Sequence, residues 1–345
     1  MAYKDRFNSK ATNDNQKPRI LLAFQGGGSH GAFAAGVINA LEENGILADV
    51  QGVIGTSAGA NNAACVGYAL NKGDTALATQ LSATLWNKIG AEGDKISHLK
   101  SFARAASFTQ YPNLPQSFVS QMNLASQTGT MLGAKSQAGH VRDHIDDVIK
   151  DWDVIQNGSI PVVIGATLKA RGSLIEYNFT NPDIDEDAIA ASSCISGVHM
   201  KDGMPFIDGG YMKNPPLHGA FDESRYSDVL AIMLNPLPDA VRPQLQKDVQ
   251  HITYDFIGPE VYRELAYMKE NSDLNIHAIG MEFEPHWDQT SKLNFVSRWV
   301  GELYGRGYQA GLDWVKAHKN DLGVRSSFNP DILDDRALQA QPAVA

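Results

Sequence analysis

A serine set among small residues, Gly55-Thr56-Ser57-Ala58-Gly59, is the strongest chemical signal in the chain. It follows an apolar run that reads as a strand and precedes one that reads as a helix. At such a bend the hydroxyl is lifted clear of the sheet, and small neighbours let a substrate carbonyl approach. The following helix aims its positive end at any anion formed beside Ser57. Upstream, Gly26-Gly27-Gly28 offers consecutive backbone N–H groups at another strand-to-helix turn. Donors of that kind hold the oxyanion of a tetrahedral intermediate, and losing one costs about 2.7 to 4 kcal/mol. The third element is Asp208-Gly209-Gly210, with Asn214-Pro215-Pro216 just downstream. Nucleophile, oxyanion donors and a carboxylate that takes the serine proton would together carry out acyl transfer through an acyl-serine.

Each piece has a rival reading. Gly26-x-Gly28-x-x-Gly31 between strand and helix also satisfies the dinucleotide-binding fingerprint, with Asp49 near the distance of a ribose-binding acid. The chain would then be an oxidoreductase, and Ser57 and Asp208 would have no task. A plainer reading leaves the glycines and the Asp-Gly-Gly as tight turns. His199 and His218 flank Asp208, and the order Ser57, Asp208, His218 is that of an α/β-hydrolase triad. A histidine after a Pro-Pro-Leu turn is more often a surface residue, so His218→Ala is expected to retain most activity. His140 and His144, with Asp143, Asp146 and Asp147 nearby, have zinc-like spacing but lack a further ligand in sequence. Cys65 and Cys194 read as packing residues.

Together the three motifs resemble the patatin-like phospholipase family: a GGGxxG stretch, a GxSxG serine, and a DGG aspartate followed by an Asn-Pro. The resemblance runs from about Ile20 to Leu234. It implies a three-layer α/β/α sandwich with a mostly parallel sheet, and a lipid acyl hydrolase of phospholipase A or carboxylesterase type. Ser57 would be the nucleophile, Asp208 its partner in a dyad, and Gly26, Gly27 and Gly28 the oxyanion loop. No cofactor or metal is implied, so activity should survive a chelator. A transacylase or thioesterase on the same scaffold, or a lipid-binding module with residual dyad geometry, is also compatible. Where many relatives carry Arg or Lys in the glycine loop this chain has His30, so any electrostatic contribution there would depend on pH. Ala191-Ser192-Ser193 resembles the family's small-residue segment, and Gly197-Val198 departs from it where a proline is usual. A free aspartate, with a pKa of about 3.9, is a poor base for a serine proton. The site must therefore raise it, as a partly dry pocket would.

The elements that hold these groups follow from periodicity. Arg19 to Phe24, Val50 to Ile54, Ile160 to Ala166, Ser173 to Phe179, Pro205 to Asp208, Ser227 to Leu234 and Ile276 to Phe283 read as strands. Ala32 to Leu41, Ala60 to Leu70, Asp187 to Ser193, Tyr262 to Lys269 and Phe295 to His318 read as helices. Two successive strand-turn-helix units imply a parallel sheet covered by helices. The stretch from about 90 to 140 is poor in periodic apolar residues and reads as a cap or lid, or as a surface excursion. The expected organisation is a disordered segment over 1–18, a catalytic domain over 19–235, a C-terminal helical extension packed on it over 236–336, and a tail over 337–345. Trp299, Tyr304, Tyr308 and Trp314 recur at near-helical spacing and read as core rather than a membrane belt.

Composition sets the outer limits. The 345 residues are 43% hydrophobic and 20% charged, as in a soluble globular protein. The 29 basic residues against 39 acidic give a net charge of -10, which argues against a nucleic-acid partner and against charge-driven binding to anionic membranes. The polar start lacks the apolar core of a signal peptide, and no run reaches the roughly 18 apolar residues of a membrane span. Contact with a lipid substrate is expected to be peripheral. Two cysteines far apart form no disulfide framework, so a cytoplasmic, reducing setting is expected.

Overall fold

Side chains of the first strand alternate between two buried layers. Ile20, Leu22 and Phe24 pack into one hydrophobic cluster, and Leu21 and Ala23 into another on the opposite face. A strand buried on both faces needs a covering layer on each side, which is the origin of the three-layer architecture. The computed structural model describes residues 17–106, 136–235, 260–282, 284 and 289–328.

Among these residues eight strands form one sheet. They are β1 (Ile20–Phe24), β2 (Val50–Thr56), β3 (Val162–Ala170), β4 (Ser173–Thr180), β5 (His199–Lys201), β6 (Met204–Asp208), β7 (Asp228–Met233) and β8 (Asn275–Gly280). Strands β3, β2, β1, β7 and β8 lie side by side in parallel. Strands β4, β6 and β5 add antiparallel pairs around β3.

Helices α1 (Gly31–Glu43) and α2 (Ala58–Lys72) follow β1 and β2 directly. With α3 (Thr75–Ala106) they cover one face, where Leu77, Leu81, Leu85 and Ile89 form a stripe at four-residue spacing. Helices α4 (Gln137–Val148) and α5 (Glu186–Ser192) complete that side through Ile145, Ala188 and Ile189. The other face is covered by α6 (Glu260–Asn271), through Val261, Tyr262, Leu265 and Met268. Helix α7 (Ser297–His318) lies along α1, burying Leu303, Gly307, Gly311 and Trp314 at helical spacing.

Several boundaries differ from expectation. The region expected to begin a cap at about residue 90 instead continues α3 to Ala106, and residues 107–135 lie outside the described set. The short strand β5 has no apolar alternation to announce it and exists by pairing with β6. The strand expected over Ile276 to Phe283 spans Asn275–Gly280, and Phe283 is not among the described residues. The expected terminal segments, 1–18 and 337–345, also fall outside them apart from Lys17 and Pro18. No helix among the described residues is long and apolar enough to cross a membrane.

Candidate active site

Register in the sheet brings Ser57 and Asp208 together. Thr56, the last residue of β2, pairs with Gly165 of β3. Asp208, the last residue of β6, pairs with Ala166, the next residue along β3. Strand β4 occupies the other edge of β3 over this stretch, so β2 and β6 share one edge. Since β2 runs parallel to β3 and β6 antiparallel, their carboxyl ends meet. The residue after Thr56 is Ser57, whose hydroxyl stands close enough to the Asp208 carboxylate to draw its pKa down, without a fully formed hydrogen bond between them.

The bend at Ser57 is sharp and locked. Its φ of 56° and ψ of -123° lie where residues with a Cβ seldom go, a strain on the order of 1–3 kcal/mol that the surroundings must hold. The Ser57 amide donates to Ser192 Oγ at 2.8 Å, and that hydroxyl donates to the Gly165 carbonyl at 2.6 Å. The Ser57 carbonyl accepts from the Ala60 amide at 2.9 Å and from Asn61 Nδ2 at 3.1 Å. The segment Ala191-Ser192-Ser193 thus reaches Ser57 through one hydroxyl.

Asp208 is buried and poorly partnered. Its Oδ1 accepts the Gly210 amide at 2.8 Å, and its own amide is held by the Cys194 carbonyl at 2.8 Å. Oδ2 is enclosed without a fully formed hydrogen bond, which leaves it to the neighbouring serine. Burial pushes the carboxyl up to about 6, against the hydrogen bonds from Ser57 and the Gly210 amide. That is the direction a serine-activating base requires.

The glycine loop abuts this pair. A Cβ on Gly26 would stand 2.7 Å from the Thr56 carbonyl oxygen and 2.8 Å from Ser57 Cβ, so only glycine lets the loop pass. Asn214 clamps Gly26 from outside, accepting its amide at 2.6 Å and donating to its carbonyl at 3.2 Å. The Gly26 N–H, expected among the oxyanion donors, is therefore engaged. Among the described residues the amides of Gly27 and Gly28, and of Ala58 at the start of α2, make no backbone hydrogen bond. Gly28, with φ of 59°, packs on the Lys292 carbonyl.

His30 is the clearest correction. Burial, and then the Lys292 charge, hold its imidazole down at about 3 against a hydrogen bond to Leu234, so it stays neutral near neutral pH. The pH-dependent charge expected there is absent. The ring instead meets Ser291 Oγ at 2.9 Å, while Ser29 Oγ donates to the Ser291 carbonyl at 3.0 Å and accepts from Trp299 Nε1 at 3.2 Å. The turn Gln289–Leu293 braces the glycine loop.

The other singled-out residues lie elsewhere. His218 is exposed and packs edge-on against Tyr267, with ring centroids 4.9 Å apart. His199 pairs with Asp187 at 3.0 Å. His140 and His144 both contact Glu92, and no group of three or more ligands among the described residues could hold a metal ion. Burial pushes the thiols of Cys65 and Cys194 up to about 12, the latter with help from Asp208. Asp49 ends the turn before β2, at the opposite end of that strand from Ser57. A ribose-binding acid would have to stand near the carboxyl ends of the strands, beside the glycine loop, so the dinucleotide reading loses its second element.

The chain belongs to the patatin-like phospholipase family, whose model matches residues 22–221. Among solved structures, VipD from Legionella pneumophila is similar at 14% identity and a TM-score of 0.39, over 88% of this chain and 68% of that one. The ExoU–SpcU complex from the type III secretion system of Pseudomonas aeruginosa is similar at 18% identity and a TM-score of 0.41, over 88% of this chain and 52% of that one. A structure of the type III effector protein ExoU is similar at 16% identity and a TM-score of 0.36, over 87% and 53%. The chain thus spans about half the length of the ExoU structures it resembles. No curated protein sequence matches it.

Three contributors escaped the sequence reading. Lys292 and Ser291 stand in an unremarkable polar run far from the motifs. Glu264 on α6 contacts Lys213 Nζ and accepts the Leu217 and His218 amides at 2.9 and 3.3 Å, fixing the segment that carries Asn214. Only Asn214 itself carried a signal, as the residue before Pro215.

Proposed function

We propose that this chain hydrolyses acyl esters of lipids through an acyl-Ser57 intermediate, with Asp208 as the general base. Ser57 Oγ attacks the ester carbonyl while its proton passes to Asp208 Oδ2. The oxyanion is received by the free amides of the glycine loop, Gly27 and Gly28, together with Ala58 at the positive end of α2. Asp208 then returns the proton to the leaving alkoxide, and water, deprotonated by the same carboxylate, releases the acid. On this reading residues 19–235 carry the reaction and 236–336 form an extension on the same domain. Two buried free cysteines fit a cytoplasmic setting.

The observation that carries the reading is a buried carboxylate with one oxygen left for a serine hydroxyl on a strained bend. A fluorophosphonate probe should label wild type at Ser57 and leave Ser57→Ala unlabelled, with turnover of a p-nitrophenyl ester and of a lipid ester lost together. Labelling at a different serine, or turnover by folded Ser57→Ala, overturns it.

A further inference from the structure

Lys292 is half-buried, and no carboxylate among the described residues answers its ammonium. Among the described residues its ammonium contacts only Asn235 Oδ1, a neutral acceptor. Burial alone pushes its pKa down to about 7. Leaving an ammonium desolvated without an anion is costly, and folded proteins seldom do so without a use for the charge. Its partner adds a second unused donor, since Asn235 is 2% exposed and its Nδ2 has no hydrogen-bond partner. Asn235 is itself fixed, because its amide and that of Leu234 both donate to Gln25 Oε1, at 2.9 and 2.8 Å. Two donors are thus held ready, and the acceptor they suit is an anion.

Their place in the sheet says where that anion comes from. Ser57 follows β2, the glycine loop follows β1, and Asn235 lies just beyond β7, on neighbouring parallel strands in the order β2, β1, β7. All three stand at the carboxyl ends of the strands, where open parallel sheets bind ligands. Asn235 is two strand spacings, about 10 Å, from the nucleophile. The loop between them touches Ser57 at Gly26 and Lys292 at Gly28. An ester carbonyl at Ser57 would leave the rest of its molecule free to extend across the loop toward Lys292. In a glycerophospholipid the phosphate is a few bonds from each ester carbonyl, and can lie on the far side of the loop while the carbonyl stays at Ser57.

We infer that Lys292 and Asn235 form a subsite for the phosphodiester of a glycerophospholipid substrate, on the far flank of the glycine loop from Ser57. The inference rests on the acyl-hydrolase reading for its geometry, but it can be tested by binding alone. Ser57 is not required to react, so a non-hydrolysable short-chain diether phosphatidylcholine and the matching neutral diether glycerol serve as probes, titrated below their micellar concentrations. Wild type should bind the phosphate-bearing ether about tenfold to a hundredfold more tightly than the neutral one, the range of one charge-assisted hydrogen bond. Lys292→Met should erase that preference, and Lys292→Arg should keep most of it.

A preference absent from wild type, or surviving in folded Lys292→Met, overturns the subsite. Inorganic phosphate separates a headgroup from a free anion: if it binds as tightly as the diether phospholipid, the headgroup assignment fails. If Lys292→Met weakens both ethers equally, Lys292 is a brace for the loop and the assignment again fails. Turnover distinguishes the two levels. A wild type that shows the binding preference but hydrolyses no ester removes the hydrolase and leaves the subsite standing.

Discussion

Two aspartates stand at opposite ends of the parallel strands, both buried, and their surroundings could hardly differ more. Asp228 opens β7 and is saturated: Oδ1 accepts His277 Nε2 at 2.9 Å and the Gly323 amide at 2.9 Å, and Oδ2 accepts Ser227 Oγ at 2.6 Å. Asp208 closes β6 with one formed bond and one oxygen unfilled. Burial pushes both carboxyls up. At Asp228 the hydrogen bonds from His277, Ser227 and Gly323 overturn it and the pKa falls below the ordinary value. At Asp208 burial prevails and the pKa rises to about 6. One carboxylate is spent on holding the fold, tying Gly323 to β7 and, through His277, Ser327 to β8; the other keeps one oxygen unfilled, as the proposed base requires.

The comparison breaks most sharply under matched substitutions. Asp208→Asn should lower acyl-ester turnover by about a thousandfold or more while leaving the unfolding midpoint equal or higher. Asp228→Asn should do the reverse, costing about 1–3 kcal/mol in urea unfolding because an amide has one acceptor oxygen where the carboxylate serves His277, Ser227 and Gly323 with two, with activity per folded molecule unchanged. Loss of stability in Asp208→Asn, or loss of turnover in well-folded Asp228→Asn, would erase the distinction.

pH sharpens it next. Asp208 must be ionised to accept the serine proton, so kcat/KM on a neutral short-chain ester should climb as pH rises through about 6 and then level. Its effect on stability has the opposite sense. The folded state holds this proton more tightly than the unfolded chain does, so the Asp208 contribution declines as pH rises from 3.8 toward 6. The Asp228 contribution is present above 3.8 and disappears as pH falls through its lower folded value. Unfolding midpoints of the two Asn variants should therefore both approach wild type at low pH, where the wild-type carboxyls are neutral, and part from it in opposite directions as pH rises: Asp228→Asn falls below wild type, and Asp208→Asn gains on it between 3.8 and about 6 and then holds that excess.

Much of this was legible in the residues. Glycines break the apolar runs at the ends of β1 and β2, so both strand-turn-helix units and the serine at the second bend can be read directly. Asp208 is marked by the two glycines that follow it. What could not be read is the register that sets Asp208 one β3 residue beyond Thr56, because pairing of β3 with two end-to-end strands leaves no periodic trace in any of them. Ionisation states were hidden for a related reason. His30 looked like a titrating group because its neighbours in sequence are glycine, serine and alanine. The groups that silence it, Lys292 and the enclosing core, come from the other end of the chain.

The smallest expected effect concerns histidine. The molecule does contain a Ser-His-Asp chain, with Ser327 Oγ 2.8 Å from His277 Nδ1 and Asp228 beyond, but His277 is fully buried at the amino end of the strands. It has no route for a proton to a substrate at the glycine loop. The other candidate, His218, has the sequence order of a triad, yet its ring lies on Tyr267 and its amide is held by Glu264. Burial raises the Asp208 pKa against Ser57 and the Gly210 amide, with no imidazole among the contributing groups. Since a triad histidine must touch both its serine and its carboxylate, His218→Ala should keep kcat/KM within about twofold of wild type, against losses of several thousandfold when a true triad member is removed. A folded His218→Ala protein as inactive as Ser57→Ala would show that the loop carrying His218 moves onto Asp208 during turnover, and the contrast between a partnered and an unpartnered aspartate would then describe only the resting enzyme.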